Sequence, residues 1–70
     1  MMPLTMMRTG EAGTIKRVGG KEEVRRFLEN LGFVEGSDVK VVSETGGNVI
    51  VNIRESRVAI SKEMANKIMV

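Results

Sequence analysis

The chain has 70 residues, 11 Lys plus Arg against nine Asp plus Glu, and a net charge of +2. It has no Cys and no His, which excludes a disulfide and an ordinary structural zinc site. A chain this short holds one small core, so a closed fold or self-association must supply its stability.

The start, Met1-Met2-Pro3-Leu4-Thr5-Met6-Met7-Arg8, is too short for a secretory h-region and carries its charge on the wrong side. No apolar run approaches the ~18 residues of a membrane span. Together with the lack of Cys, this predicts a cytoplasmic protein. There is no repeat and no linker, so residues 1–70 are expected to form a single domain.

Gly10-Glu11-Ala12-Gly13 reads as a turn into a strand at Thr14-Ile15-Lys16-Arg17-Val18, ended by Gly19-Gly20. Alternation there is imperfect, because Ile15 and Val18 lie three positions apart. Lys21 to Leu31 reads as a helix. Val24, Phe27, Leu28 and Leu31 fall at i, i+3, i+4 and i+7, which predicts one apolar stripe. Glu22 and Glu23 suit the positive end of the helix dipole, and Glu22 precedes Arg26 by four residues. Gly32 stands where a left-handed residue ends a helix. The loop Gly32-Phe33-Val34-Glu35-Gly36 then sets two apolar residues between glycines.

Val39 and Val41 alternate with Asp38 and Lys40, and Val49, Val51 and Ile53 alternate with Ile50, Asn52 and Arg54. Thr45-Gly46-Gly47-Asn48 between them predicts a hairpin. Glu55-Ser56 is a second tight connection, leading to a strand through Val58 and Ile60. Ser61 is placed to cap a short helix over Lys62-Glu63-Met64-Ala65-Asn66. Ile68 and Val70 are spaced for a last strand that closes the sheet. The predicted core is Ile15, Val24, Phe27, Leu28, Leu31, Val39, Val41, Val51, Ile53, Val58, Ile60 and Ile68. Phe27 is its largest member, with an expected loss of about 3–5 kcal/mol on truncation to Ala.

The fold class is mainly β. Five to six short strands with one interposed α-helix and a short C-terminal helix cannot build a sandwich in this length. They can curl into a small barrel, SH3-like or OB-like, with the helix at one end.

Chemistry has little to work with. Nucleophilic catalysis needs a Ser, Cys, Thr or Lys beside a base. Ser37, Ser43, Ser56 and Ser61 all fall where turns or caps are expected. Glu22 and Glu23 are helix neighbours that do not face each other. No catalytic residue and no cofactor site is expected. Carboxylates are scattered, and the six Met read as flexible core filling, so no metal site is expected either. The early glycines lack the Lys-Ser or Lys-Thr of a phosphate loop.

The ordered set of short elements resembles the FeoA family and the related SH3-like tail domains of metal-dependent repressors. The elements are Leu4, Gly10-Glu11-Ala12-Gly13-Thr14-Ile15, Leu28, Leu31-Gly32-Phe33, Gly36, Val39-Lys40-Val41, Val58-Ala59-Ile60, Ala65 and Ile68-Met69-Val70. They span nearly the whole chain. Phe27, Glu35 and Ser61 stand where the family often has Arg, Pro and Arg. The resemblance implies an SH3-like barrel and a non-enzymatic accessory protein of bacterial ferrous iron uptake. Such a protein would dock on the cytoplasmic, GTP-hydrolysing part of the FeoB transporter, without entering the membrane. Arg25, Arg26, Phe33 and Val34 are the expected partner-binding residues: Phe33 as an anchor, and the arginines as a charged rim. A weak homo-oligomer fits the same picture. The alternative is an SH3-like RNA- or ribosome-binding module using Lys16 and Arg17. Nucleic acid ranks second because single-strand recognition usually stacks bases on aromatics, and the chain has two Phe and no Tyr or Trp.

Overall fold

The computed structural model describes residues 1–70. Leu4–Met6 form a single 3-10 turn. Strands β1 (Ala12–Thr14) and β2 (Arg17–Val18) precede helix α1 (Glu22–Leu31). Strands β3 (Asp38–Thr45), β4 (Asn48–Ile53) and β5 (Ser56–Ser61) follow, then helix α2 (Lys62–Ala65) and strand β6 (Ile68–Met69). A four-stranded antiparallel sheet has the order β1-β3-β4-β5, and β2 pairs with β6 in a second, two-stranded sheet.

Strand β1 begins at Ala12, inside the stretch expected as a turn, and the strand expected over residues 14–18 is broken by a corner before β2. The Ile15 N–H donates to the Ser37 carbonyl at 2.9 Å, and the Lys16 N–H to the Met69 carbonyl at 2.7 Å. The chain therefore changes sheets between adjacent residues. The corner explains the broken alternation: Ile15 and Val18 point inward from different sheets, Ile15 1% exposed and Val18 packed on the core's edge.

The β3–β4 hairpin turns at Gly46-Gly47, with Thr45 opposite Asn48. The register shifts between Val41 and Ser43, a bulge that bends β3. Ser43 is thus a strand residue, not the turn residue expected. On β4 the period of two is clean, with Val49, Val51 and Ile53 buried. Ser61 caps α2 as predicted, its Oγ accepting from the Met64 N–H at 3.2 Å. The last strand closes against β2, not against β5. Helix α2 packs against β5, β4 and the 3-10 turn.

The N-terminal segment locks β6 from its other side. Met2 and Val70 exchange two backbone hydrogen bonds of 2.9 and 2.8 Å, and Pro3 bridges to Met69. Leu4 and Met7 are buried beneath this seam. The core is one cluster of Leu4, Met7, Ile15, Leu28, Phe33, Val39, Val41, Val49, Val51, Ile53, Ile60, Ala65 and Ile68. Val24, Leu31 and Val58 pack on it only partly buried.

Phe27 is the clear departure. It is 48% exposed, so it is not the centre of the core. The reason is angular. At 100° per residue, Val24, Leu28 and Leu31 fall within about 60° of one another, whereas Phe27 lies about 70° from their middle. A helix that meets the sheet along one narrow line buries the three and leaves Phe27 on its flank.

Candidate functional site

Helix α1 ends in a way that shapes everything after it. Gly32 takes φ 112°, and its N–H donates to the Glu29 carbonyl at 3.0 Å. The Phe33 N–H reaches back to the Leu28 carbonyl, also at 3.0 Å. This pair of bonds is a Schellman motif, in which the residue after the glycine folds its side chain onto the helix residue five positions earlier. Leu28 and Phe33 are both 0% exposed and share the core. A Cβ at Gly32 would sit 3.4 Å from Ile53 Cγ1 and 3.5 Å from Arg54 Cδ, so the cap is also packed from the sheet side.

The loop that follows is pinned at two further points. The Val34 carbonyl accepts from the Ser37 N–H at 3.1 Å. The Gly36 N–H donates to the Ile15 carbonyl at 2.9 Å, with Gly36 at φ 87°. Together these bonds hold Val34 and Glu35 facing β2 and α1. Between them lies an open cleft of about 560 Å³, lined by Arg17 and Val18 of β2, Arg25 and Glu29 of α1, and Val34 and Glu35 of the loop.

The cleft carries two guanidinium groups and two carboxylates around two valines, and no ion pair joins them. The molecule's one ion pair is Arg26 to Glu22 at 2.8 Å, elsewhere on α1. Both side chains of that pair are largely in water, 72% and 65% exposed, so it adds only a few tenths of a kcal/mol to the helix. The four cleft charges remain free to meet charges of the opposite sign on another molecule.

Of the residues expected to bind a partner, Arg25 and Val34 are brought together here. Arg26 points away and is held by Glu22. Phe33 cannot present a ring to a partner: it lies wholly inside, beneath the loop, because the Schellman turn directs it inward. The exposed aromatic is Phe27 instead. Val18 and Glu29 also line the cleft without having been singled out, together with Arg17, named only for nucleic-acid binding, and Glu35, named only where the family often has Pro. Arg17 carried a signal as one of two adjacent basic residues, Lys16 and Arg17, shortly before the helix. The two acids gave none, since only the fold sets them beside it.

No three of the Asp and Glu side chains come together as a group able to hold a metal ion. No buried side-chain polar atom lacks a hydrogen-bond partner. No helix is long and apolar enough to cross a membrane. What the cleft offers is recognition of a surface, by charge at its rim and apolar contact at Val18 and Val34.

Comparison with known proteins gives this arrangement a context. The family model described as the FeoA domain matches residues 2–70. A curated protein of Methanocaldococcus jannaschii, assigned by name to Fe(2+) transport as protein A, is 33% identical over 70 residues, covering 100% of this chain and 85% of its own. A crystal structure of an iron uptake regulatory protein, FeoA, superposes with a TM-score of 0.87 at 28% identity, over 96% of this chain and 91% of that one. FeoA of Stenotrophomonas maltophilia, crystallised with zinc and described as a prokaryotic SH3 domain protein, has a TM-score of 0.86 at 23% identity, over 99% of this chain and 88% of that one. That likeness shows the fold alone: a small, mainly β, SH3-like domain. The chain belongs to the FeoA domain family.

Proposed function

We propose that this chain is a cytoplasmic accessory protein of ferrous iron uptake. It acts by binding, not by catalysis, and docks on the cytoplasmic, GTP-hydrolysing part of a FeoB-type transporter. The observation that carries this reading is the FeoA match across residues 2–70, alongside a relative assigned to Fe(2+) transport. Its physical support is the cleft between α1, β2 and the Val34–Glu35 loop, where mixed charges without internal partners surround two valines. A partner with an acid facing Arg17 and Arg25, and a base facing Glu29 and Glu35, would be selected by charge pattern as well as by contact.

Arg25 and Arg26 provide an internal comparison, since reversing either changes the net charge equally. With the transporter's purified cytoplasmic domain immobilised on a sensor surface, Arg25→Glu is expected to weaken binding about tenfold or more. Arg26→Glu, outside the cleft, is expected to change mainly the salt-dependent association rate, by a few-fold. Equal losses from both would move the docking face off the cleft. No binding by the wild-type chain, together with salt-dependent RNA binding at similar concentrations, would replace this reading with the nucleic-acid one.

A further inference from the structure

Strand β5 ends the four-stranded sheet, with β4 on one side and no strand on the other. Its free groups follow from the turn before it. Arg54 and Glu55 form a two-residue connection, so Ile53 and Ser56 are a mutually hydrogen-bonded pair. Ser56, Val58 and Ile60 therefore turn their backbone groups toward β4. Arg57 and Ala59 turn theirs outward, and no backbone hydrogen bond outside the β4 ladder uses either residue. Both residues are exposed.

Edges of this kind are usually blunted by Pro, by a bulge, by shortness or by several charges. Strand β5 has six residues in unbroken register with β4, without Pro or Gly, and with Arg57 as its one charge. The opposite edge, β1, has three residues. The sheet thus protects one edge and leaves the other ready to pair.

We propose that β5 pairs with β5 of a second copy of this chain, antiparallel about a two-fold axis through Val58. In that register Val58 lies opposite its own counterpart, Arg57 opposite Ala59, and Ser56 opposite Ile60. Each Arg57–Ala59 pair exchanges both of its free N–H and C=O groups, so symmetry supplies four backbone hydrogen bonds. The pairing joins two four-stranded sheets into one of eight strands. Charge favours this register over its neighbour. Centred on Val58, it sets Glu55 beside Ser61 and Lys62 of the other copy. Centred on Ala59, it would set Glu55 against Glu63 and require the Ser61 carbonyl, which faces the start of α2. A second copy is also the one occupant whose strand matches this edge by symmetry alone.

Position 59 tests the register by sign. Ala59→Arg places like charges opposite Arg57 in both symmetry-related pairs and is expected to weaken dimerisation about fivefold or more. Ala59→Glu places opposite charges there and is expected to tighten it by a similar factor. Sedimentation equilibrium from micromolar to millimolar protein reads both. Thermal melts of the monomers confirm that this exposed position leaves the fold intact. In the wild type, amide exchange at Arg57 and Ala59 should slow as concentration rises, while Val58, already bonded to β4, stays unchanged. A wild-type chain that remains monomeric at millimolar concentration overturns the proposal. So does a shift in the same direction for both substitutions.

Discussion

The two phenylalanines sit six residues apart and have opposite fates. Phe27, on the regular part of α1, is 48% exposed; Phe33, just past the helix end, is 0% exposed. Apolar periodicity favoured the first, whereas the geometry of helix termination buries the second. A period says which residues share a face, but not how wide a strip of that face the sheet covers. A Schellman turn is narrower in its demands, because two backbone bonds and one left-handed residue fix where the next side chain goes.

That contrast can be broken at three points. Phe33→Ala removes the largest fully buried side chain and should cost about 3–5 kcal/mol, most of the stability of a domain this size. The expected result in a thermal or urea melt is a chain largely unfolded at room temperature, and a cooperative transition near that of the wild type would refute it. Gly32→Ala keeps Phe33 but puts a Cβ on a residue at φ 112°, against Ile53 Cγ1 at 3.4 Å. A loss of about 1–3 kcal/mol is expected from backbone strain and the tightened contact. An unchanged urea midpoint would mean that the cap does not hold the loop. Phe27→Ala is the smallest, at about 1 kcal/mol or less, since about half of its ring is already in water. A loss equal to that of Phe33→Ala would restore Phe27 to the core and undo the comparison.

Much of the fold was legible because local rules and tertiary packing agree. Thr45-Gly46-Gly47-Asn48 is a hairpin turn, Ser61 is a helix cap, and Gly32 ends α1, each at the residue where turn chemistry put it. The corner at Ile15–Lys16 was legible only as a fault in alternation. A strand that changes sheets obeys the period of two on each side of the bend but not across it. The burial of Phe33 was within reach of the sequence, since Leu28, Gly32 and Phe33 stand at the three positions the Schellman motif needs. Leu4 and Met7 were not, because their burial depends on the last strand lying beside the first residues. The cleft was half legible: Arg25 and Val34 were expected to bind, but for a face that included Phe33. That Arg17 and Glu29 share the cleft depends on how α1 is rotated over β2, and no local pattern encodes that rotation.

The seam between Met2 and Val70 bears on the order in which the molecule is assembled. Strands β3, β4 and β5 are neighbours along the chain as well as in space, so they can zip as successive hairpins with short loops to close. The β2–β6 pair and the Met2–Val70 bonds join opposite ends of the sequence, and they gain nothing until nearly all of it is in place. A chain growing from its N-terminus therefore carries Leu4 and Met7 without their cover until Ile68 and its neighbours arrive. The meander is the scaffold that can form early. The seam is the entropically demanding contact, because it brings residues 2 and 70 to one shared edge over the core.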